Sequence, residues 1–303
     1  MKIAELMGWF EGLAGELRSS GISTEITSGL ACVHYRFAEF TKDCDVWTDP
    51  QHAHDFLNFI AGKTFEQKPV CYRSPMSAPI DIRWLAGGWS SHLSWGEQQR
   101  VKLDIFGRPP RITGKQEINK KALFSDLETL VLVKKTQREK DWDSINFMAM
   151  QMLESGNQRG LLHLYQAKNL TNILSASVVS EDMVKERPLL EVLKKAGEEK
   201  IDSLTHAEKR FWQKVDHYRL EIYQKALTEY AKEAKKILIK KSAFLVAHQK
   251  LCDLAEGALP THPLKGREEE IIEKSKKILW EERKDFDPSW FPIATILEGL
   301  LLP

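Results

Sequence analysis

Thr41-Lys42-Asp43-Cys44-Asp45-Val46-Trp47 reads as a short strand, because Cys44, Val46 and Trp47 favour extended backbone and Asp49-Pro50 closes the run. Alternation along a strand sends Asp43 and Asp45 to one face and Cys44 and Val46 to the other. Two carboxylates so close repel each other unless a cation lies between them, and hard oxygen ligands on one face suit Mg²⁺. Taken alone, the pattern also fits a solvated edge strand or turn. A second strand, Val101-Lys102-Leu103-Asp104-Ile105-Phe106, alternates more cleanly. Val101, Leu103 and Ile105 make its apolar face, which leaves Lys102 and Asp104 on the other. A carboxylate inside a buried strand is costly unless it is paired or holds a metal. A Lys102–Asp104 pairing on an edge strand is the competing account.

Around these two strands the first ~115 residues read as a small mixed sheet with helices, while the rest reads as helical. An amphipathic helix opens the chain, with Ile3, Leu6, Met7, Phe10, Leu13, Ala14 and Leu17 at helical spacing. Ile22 to Thr27 alternates like a strand, Leu30 to Tyr35 like a helical turn, and Gln51 to Ile60 like a helix. Shorter strand-like pieces follow at Val70 to Tyr72 and Ile80 to Trp84, in a region broken by prolines and glycines. Beyond Lys121 strand signals vanish. Helical stretches cover Leu123 to Leu153 and Pro188 to Gly197. A long run from Thr205 to Leu254 opens on the capping pattern Thr205-His206-Ala207-Glu208 and is expected to break into two helices. Arg267 to Lys284 restarts a helix. The expected architecture is α+β: a mixed-sheet domain over 1–120, then an all-α domain over 121–303.

Composition narrows the classes. Of 303 residues, 42% are hydrophobic and 29% charged, as in an ordinary protein with a real core, and the net charge of +1 offers no global attraction for nucleic acid. Four cysteines without C-x-x-C spacing argue against a disulfide framework or a zinc site, and fit a reducing, cytoplasmic setting. No apolar run approaches the ~18 residues of a membrane span.

Two further features bear on the carboxylates. Ser28-Gly29 stands 14 residues before Asp43, and a glycine there lets backbone N–H groups approach a phosphate. Leu130 to Val133 leads into the basic cluster Lys134-Lys135-Thr136-Gln137-Arg138-Glu139-Lys140-Asp141, whose lysines suit phosphate charge. A solvated helix face explains the cluster equally well.

In this order the residues resemble the nucleotidyltransferase superfamily, in the branch of AbiEii-like and related minimal bacterial enzymes. That pattern runs hydrophobic residue, Gly, Gly or Ser, helix, D-x-D or D-x-E, and then a third carboxylate on a later strand. Here Gly29-Leu30 stands at the glycine pair, with Leu in place of the second Gly or Ser. Asp43 and Asp45 stand at the metal-binding pair and Asp104 at the third position, and Lys134 to Asp141 is similar to the branch's following helix. The resemblance spans about residues 20 to 145. It implies a catalytic set Asp43, Asp45 and Asp104 holding Mg²⁺ or Mn²⁺, and nucleotide contacts from Ser28, Gly29, Lys134, Lys135 and Asp141. It also implies transfer of a nucleoside monophosphate from an NTP to an acceptor such as RNA (tRNA included), protein or a small molecule. A cognate antitoxin is a possible partner in that branch. The alternative is a degenerate member that binds nucleotide or a partner without turnover, and Leu30 is the feature in its favour.

Other residues carry weaker signals. His52 and His54, two apart, do not share a helix face, so they suit packing better than zinc. His34 reads as a packed helix residue. Trp84, Trp89 and Trp95 fit core better than base stacking. Arg108-Pro109-Pro110-Arg111 reads as a stiffened exit from the second strand. Lys232 to Lys241 reads as a solvated helix face.

Overall fold

The computed structural model describes residues 2–111, 117–119, 121–176, 178–282 and 286–300. Among the described residues the strands are β1 (Thr24–Thr27), β2 (Cys44–Thr48), β3 (Thr64–Phe65), β4 (Lys68–Pro69), β5 (Cys71–Tyr72), β6 (Ser90–Trp95) and β7 (Val101–Phe106). Between and before them lie helices α1 (Ile3–Ser19), α2 (Ser28–His34), α3 (Ala53–Ala61) and α4 (Ile82–Ala86). After β7 come α5 (Leu127–Lys134), α6 (Asp141–Glu154), α7 (Ala167–Ala176), α8 (Glu181–Glu186), α9 (Leu189–Leu193), α10 (Glu198–Ile239), α11 (Phe244–Ala258), α12 (Glu268–Glu282) and α13 (Ile293–Leu300). The arrangement is α+β, with a mixed five-stranded sheet in the first part and helices in the second. No helix among the described residues is long and apolar enough to cross a membrane.

The sheet runs β1-β2-β7-β6-β5. β2 and β7 are parallel neighbours and every other pair is antiparallel. The alternation in β7 is realised: Val101, Leu103 and Ile105 are wholly buried on the core face. Cys44 and Val46 of β2 join them there, together with Phe10, Leu13 and Leu17 of α1 and Phe56 and Ile60 of α3. On the opposite face Trp47 packs with Leu132 of α5, so that end is covered while the Asp45 end stays open. The free edge of β1 is closed by the segment after Lys121: Ile26 N–H donates to the Leu123 carbonyl (2.8 Å) and Ser125 N–H to the Ile26 carbonyl (2.9 Å). Hydrogen bonds thus cross the 120/121 division, and one apolar core runs through both halves.

Three sequence expectations change. Ile80 to Trp84 is not a strand: the Asp81 carboxylate accepts from Arg83 N–H and starts helix α4. β6 takes the strand place instead, hidden in the sequence by its serines. Thr205 does not cap a helix. It lies inside the 42-residue α10, where its hydroxyl donates to the Ile201 carbonyl, and the helix starts at Glu198. The long run does divide in two, α10 and α11, with Lys241 in the left-handed region (φ +47°) at the joint. The final helix spans Glu268–Glu282, and Lys284 lies outside the described residues. Trp84, Trp89 and Trp95 are core residues, each no more than 2% exposed.

The two halves are tied at Arg111, just past β7. Its guanidinium is buried and donates to the Leu132 carbonyl (2.8 Å) and the Val133 carbonyl (2.6 Å), and it pairs with Asp216 of α10. Asp216 also accepts from Arg219 and from Gln137 N–H (3.0 Å). Burial opposes ionisation of Asp216, but Arg111 and Arg219 hold its carboxyl below the ordinary carboxylate range. Gly87 marks a second close approach, where an added Cβ would lie 1.5 Å from the Thr261 carbonyl oxygen.

Removing one member of a buried ion pair strands the other charge. Asp216→Ala should lower unfolding stability by about 3–5 kcal/mol in denaturant titrations. The double change Arg111→Met with Asp216→Leu should cost markedly less, and a larger loss in the double variant would refute the assignment.

Candidate active site

The pleat and the parallel pairing of β2 with β7 place Asp45 directly beside Asp104. Both project to the uncovered face, into a cleft of about 580 Å³. Asp43 lies one residue before β2 begins and lines the same cleft. Thr41 holds it there, its hydroxyl donating to the Asp43 backbone carbonyl (3.1 Å) and approaching Oδ1 (3.3 Å). Gly29 makes that possible, since a Cβ at this position would lie 2.5 Å from the Thr41 hydroxyl. Ser28, at the mouth of α2, takes a left-handed backbone (φ +54°), a strained conformation for a residue with a side chain. Leu30, which stands where the resembling family has Gly or Ser, is wholly buried and serves the core.

The facing wall comes from the end of α5 and the start of α6. Lys134 lies 3.8 Å from Asp141 Oδ1. Asp141 is buried and accepts from the Thr136 hydroxyl (2.6 Å) and Arg138 Nε (2.8 Å). Arg138, Lys140 and Ser144 complete this wall. The structure therefore brings Ser28, Gly29, Asp43, Asp45, Asp104, Lys134 and Asp141 to one cleft. Lys135 is the exception among the expected nucleotide contacts: it leaves the helix (ψ +62°) and is buried on the other side of α5.

Electrostatics mark the floor of the cleft. Burial first, then the charges of Asp104 and Asp43, push the Asp45 carboxyl up to about 7, against the opposing pull of Lys134 and a hydrogen bond with Ser28. Asp104 is raised as well, by burial, although His92 and Arg73 pull it the other way. Arg73 ion-pairs with Asp104, and His92 Nε2 stands 3.9 Å from its other oxygen. Among the described residues, no three His, Cys, Asp or Glu side chains stand as a ready metal cage. The donor set is nonetheless oxygen-rich, and Asp43 and Asp45 match the one or two carboxylates by which Mg²⁺ is usually held beside substrate phosphates.

The chain matches no family model, no curated protein and no solved structure.

Sequence reasoning did not reach Arg73 or His92, and it gave Thr41 a place in the motif but no role. Only Thr41 had a local signal, its place two residues before Asp43. Arg73 and His92 reach Asp104 through strand pairing, β6 lying beside β7 with His92 opposite Asp104. His52 accepts from Ser23 N–H (3.3 Å) and His34 stacks on Phe124 (4.0 Å between ring centres), so both are packing residues.

The raised Asp45 value fixes the sign of a pH effect. The folded chain keeps a proton where the unfolded chain has lost it, so this group's stabilising contribution is complete below about pH 4 and is lost as pH rises to about 7. Asp45→Asn should therefore stabilise the protein by roughly 1–3 kcal/mol at about pH 8, with the gain shrinking towards about pH 4. A gain independent of pH in thermal or denaturant unfolding would assign it to packing instead.

Proposed function

We propose that the chain is a metal-dependent nucleotidyltransferase that moves a nucleoside monophosphate from an NTP to an acceptor hydroxyl. The observation that carries this reading is the side-by-side register of Asp45 and Asp104 in the cleft floor, with Asp43 at the rim and Lys134 opposite. A cleft of about 580 Å³ has the size of a small-molecule site.

Asp43 and Asp45 would hold Mg²⁺ or Mn²⁺, which when bound supplies positive charge to the triphosphate and the leaving pyrophosphate. Around it the chain's own residues have separate tasks. Lys134 and Arg138 face the carboxylates across the cleft and offset phosphate charge, while Asp141 fixes both cations in place. Gly29 leaves its backbone open to a phosphate. Asp104, raised by burial, is the group placed to take the acceptor's proton once Arg73 yields it. RNA, tRNA included, protein and small molecules all remain acceptor classes under this proposal, and a cognate antitoxin would be a partner.

One observation favours the second reading, a nucleotide binder without turnover: Arg73 already occupies Asp104.

The two readings separate on labelling. With Mg²⁺ or Mn²⁺ and each α-³²P-labelled NTP, label should appear on cell RNA, on protein or on a small acceptor. Asp43→Ala and Asp45→Ala should each lower the signal by about 100-fold or more, and Lys134→Ala by about tenfold. Saturable NTP binding with no label from any of the four nucleotides would establish the binder.

A further inference from the structure

Behind the end of α5, away from the cleft, lies a second cavity of about 480 Å³ in the helical half. Lys135, His163, Arg187, Glu208 and Trp212 line it. Lys135 is 3% exposed. Its ammonium sits over the Trp212 ring (4.6 Å) and near the Tyr165 ring (5.5 Å), with no hydrogen bond or ion pair to any described residue. His163 is equally buried, and neither of its ring nitrogens has a partner. Two donor-capable side chains, both more than nine-tenths buried, thus face one cavity without partners.

The neighbouring charges are already spoken for. Arg187 pairs with Glu208 and also donates to the Leu161 and Leu164 carbonyls. Arg159 takes both Glu128 and Glu186. Two arginines thus take up three carboxylates, and none of these carboxylates ion-pairs with Lys135, so its ammonium has no direct counterion among them. Burying an ammonium in that state is costly, and aromatic faces offset only part of the cost. Burial drives Lys135 down to about 7, with Glu208 and Glu128 opposing and Arg187 and Arg111 adding to the effect.

We propose that this cavity binds a small oxyanion-bearing metabolite, its phosphate or carboxylate group seated between the Lys135 ammonium and a ring nitrogen of His163. The Trp212 face forms one wall for the rest of the ligand. The dimensions fit a small molecule rather than a bare ion alone. The site is separate from the carboxylate cleft, and it stands whether or not the cleft is catalytic.

Isothermal titration of the full chain with inorganic phosphate, and separately with acetate, tests this at about pH 7. Saturable binding is expected for at least one anion, weakened about tenfold or more in Lys135→Met and unchanged in Lys235→Met, an exposed lysine of α10 that lines neither cavity. Binding by phosphate alone assigns a phosphate-bearing ligand, and binding by acetate alone a carboxylate. No saturable binding of either anion, or binding kept at full strength in Lys135→Met, would overturn the proposal. Should Lys135→Met fail to fold, the wild-type imidazole resonances decide. The His163 ring signal, assigned by its absence in His163→Gln, should move on anion addition, and an unmoved signal refutes the site.

Discussion

The buried Arg111–Asp216 ion pair is the contact on which the geometry of this molecule turns. Arg111 stands at the exit of β7, five residues after the strand ends in Phe106, and adopts a left-handed backbone (φ +70°). From there one guanidinium reaches the last carbonyls of α5 and the carboxylate of Asp216 in α10. Sheet, cleft wall and helical half are thereby fixed to one planar group. A guanidinium suits this role because its donors form a rigid fork that serves several acceptors at once. Packing alone would hold these elements together, but it would not set the angle at which Lys134 faces Asp45.

The cleft itself trades stability for charge. Asp45 and Asp104 adjoin across a parallel strand pair with their surroundings partly dehydrated, and Asp43 adds a third negative group at the rim. Arg73 relieves Asp104 but not Asp45. Ser28 adds backbone strain at the same spot. Such concentrations of unfavourable terms persist where a site needs them.

How much of this was legible in the sequence follows from which signals are local. The apolar alternation of β7 and the D-x-D run of β2 announce themselves, because strand periodicity is carried by adjacent residues. β6 does not: Ser91 and Ser94 are wholly buried, and the Ser91 hydroxyl donates to the Ala78 carbonyl, so polar residues fill core positions that periodicity reserves for apolar ones. Asp81 looked like part of a strand because a cap is recognisable only once the helix behind it is known. Lys134 and Lys135 are adjacent and alike, yet they serve opposite sides of α5, since the helix ends between them. Arg73 is invisible for another reason: its partner Asp104 is 31 residues away, and only the sheet brings them together.

The parallel pairing of β2 and β7 also has a temporal meaning. Antiparallel neighbours such as β6 and β7 can zip from a nearby turn, but β2 must wait until the whole stretch between Thr48 and Val101 has folded back. Asp45 and Asp104 therefore meet late, after the chain has paid the entropy of a long loop closure. Their mutual repulsion falls on a pairing that closes a long loop, so the charge that defines the cleft also burdens the step that joins β2 to β7.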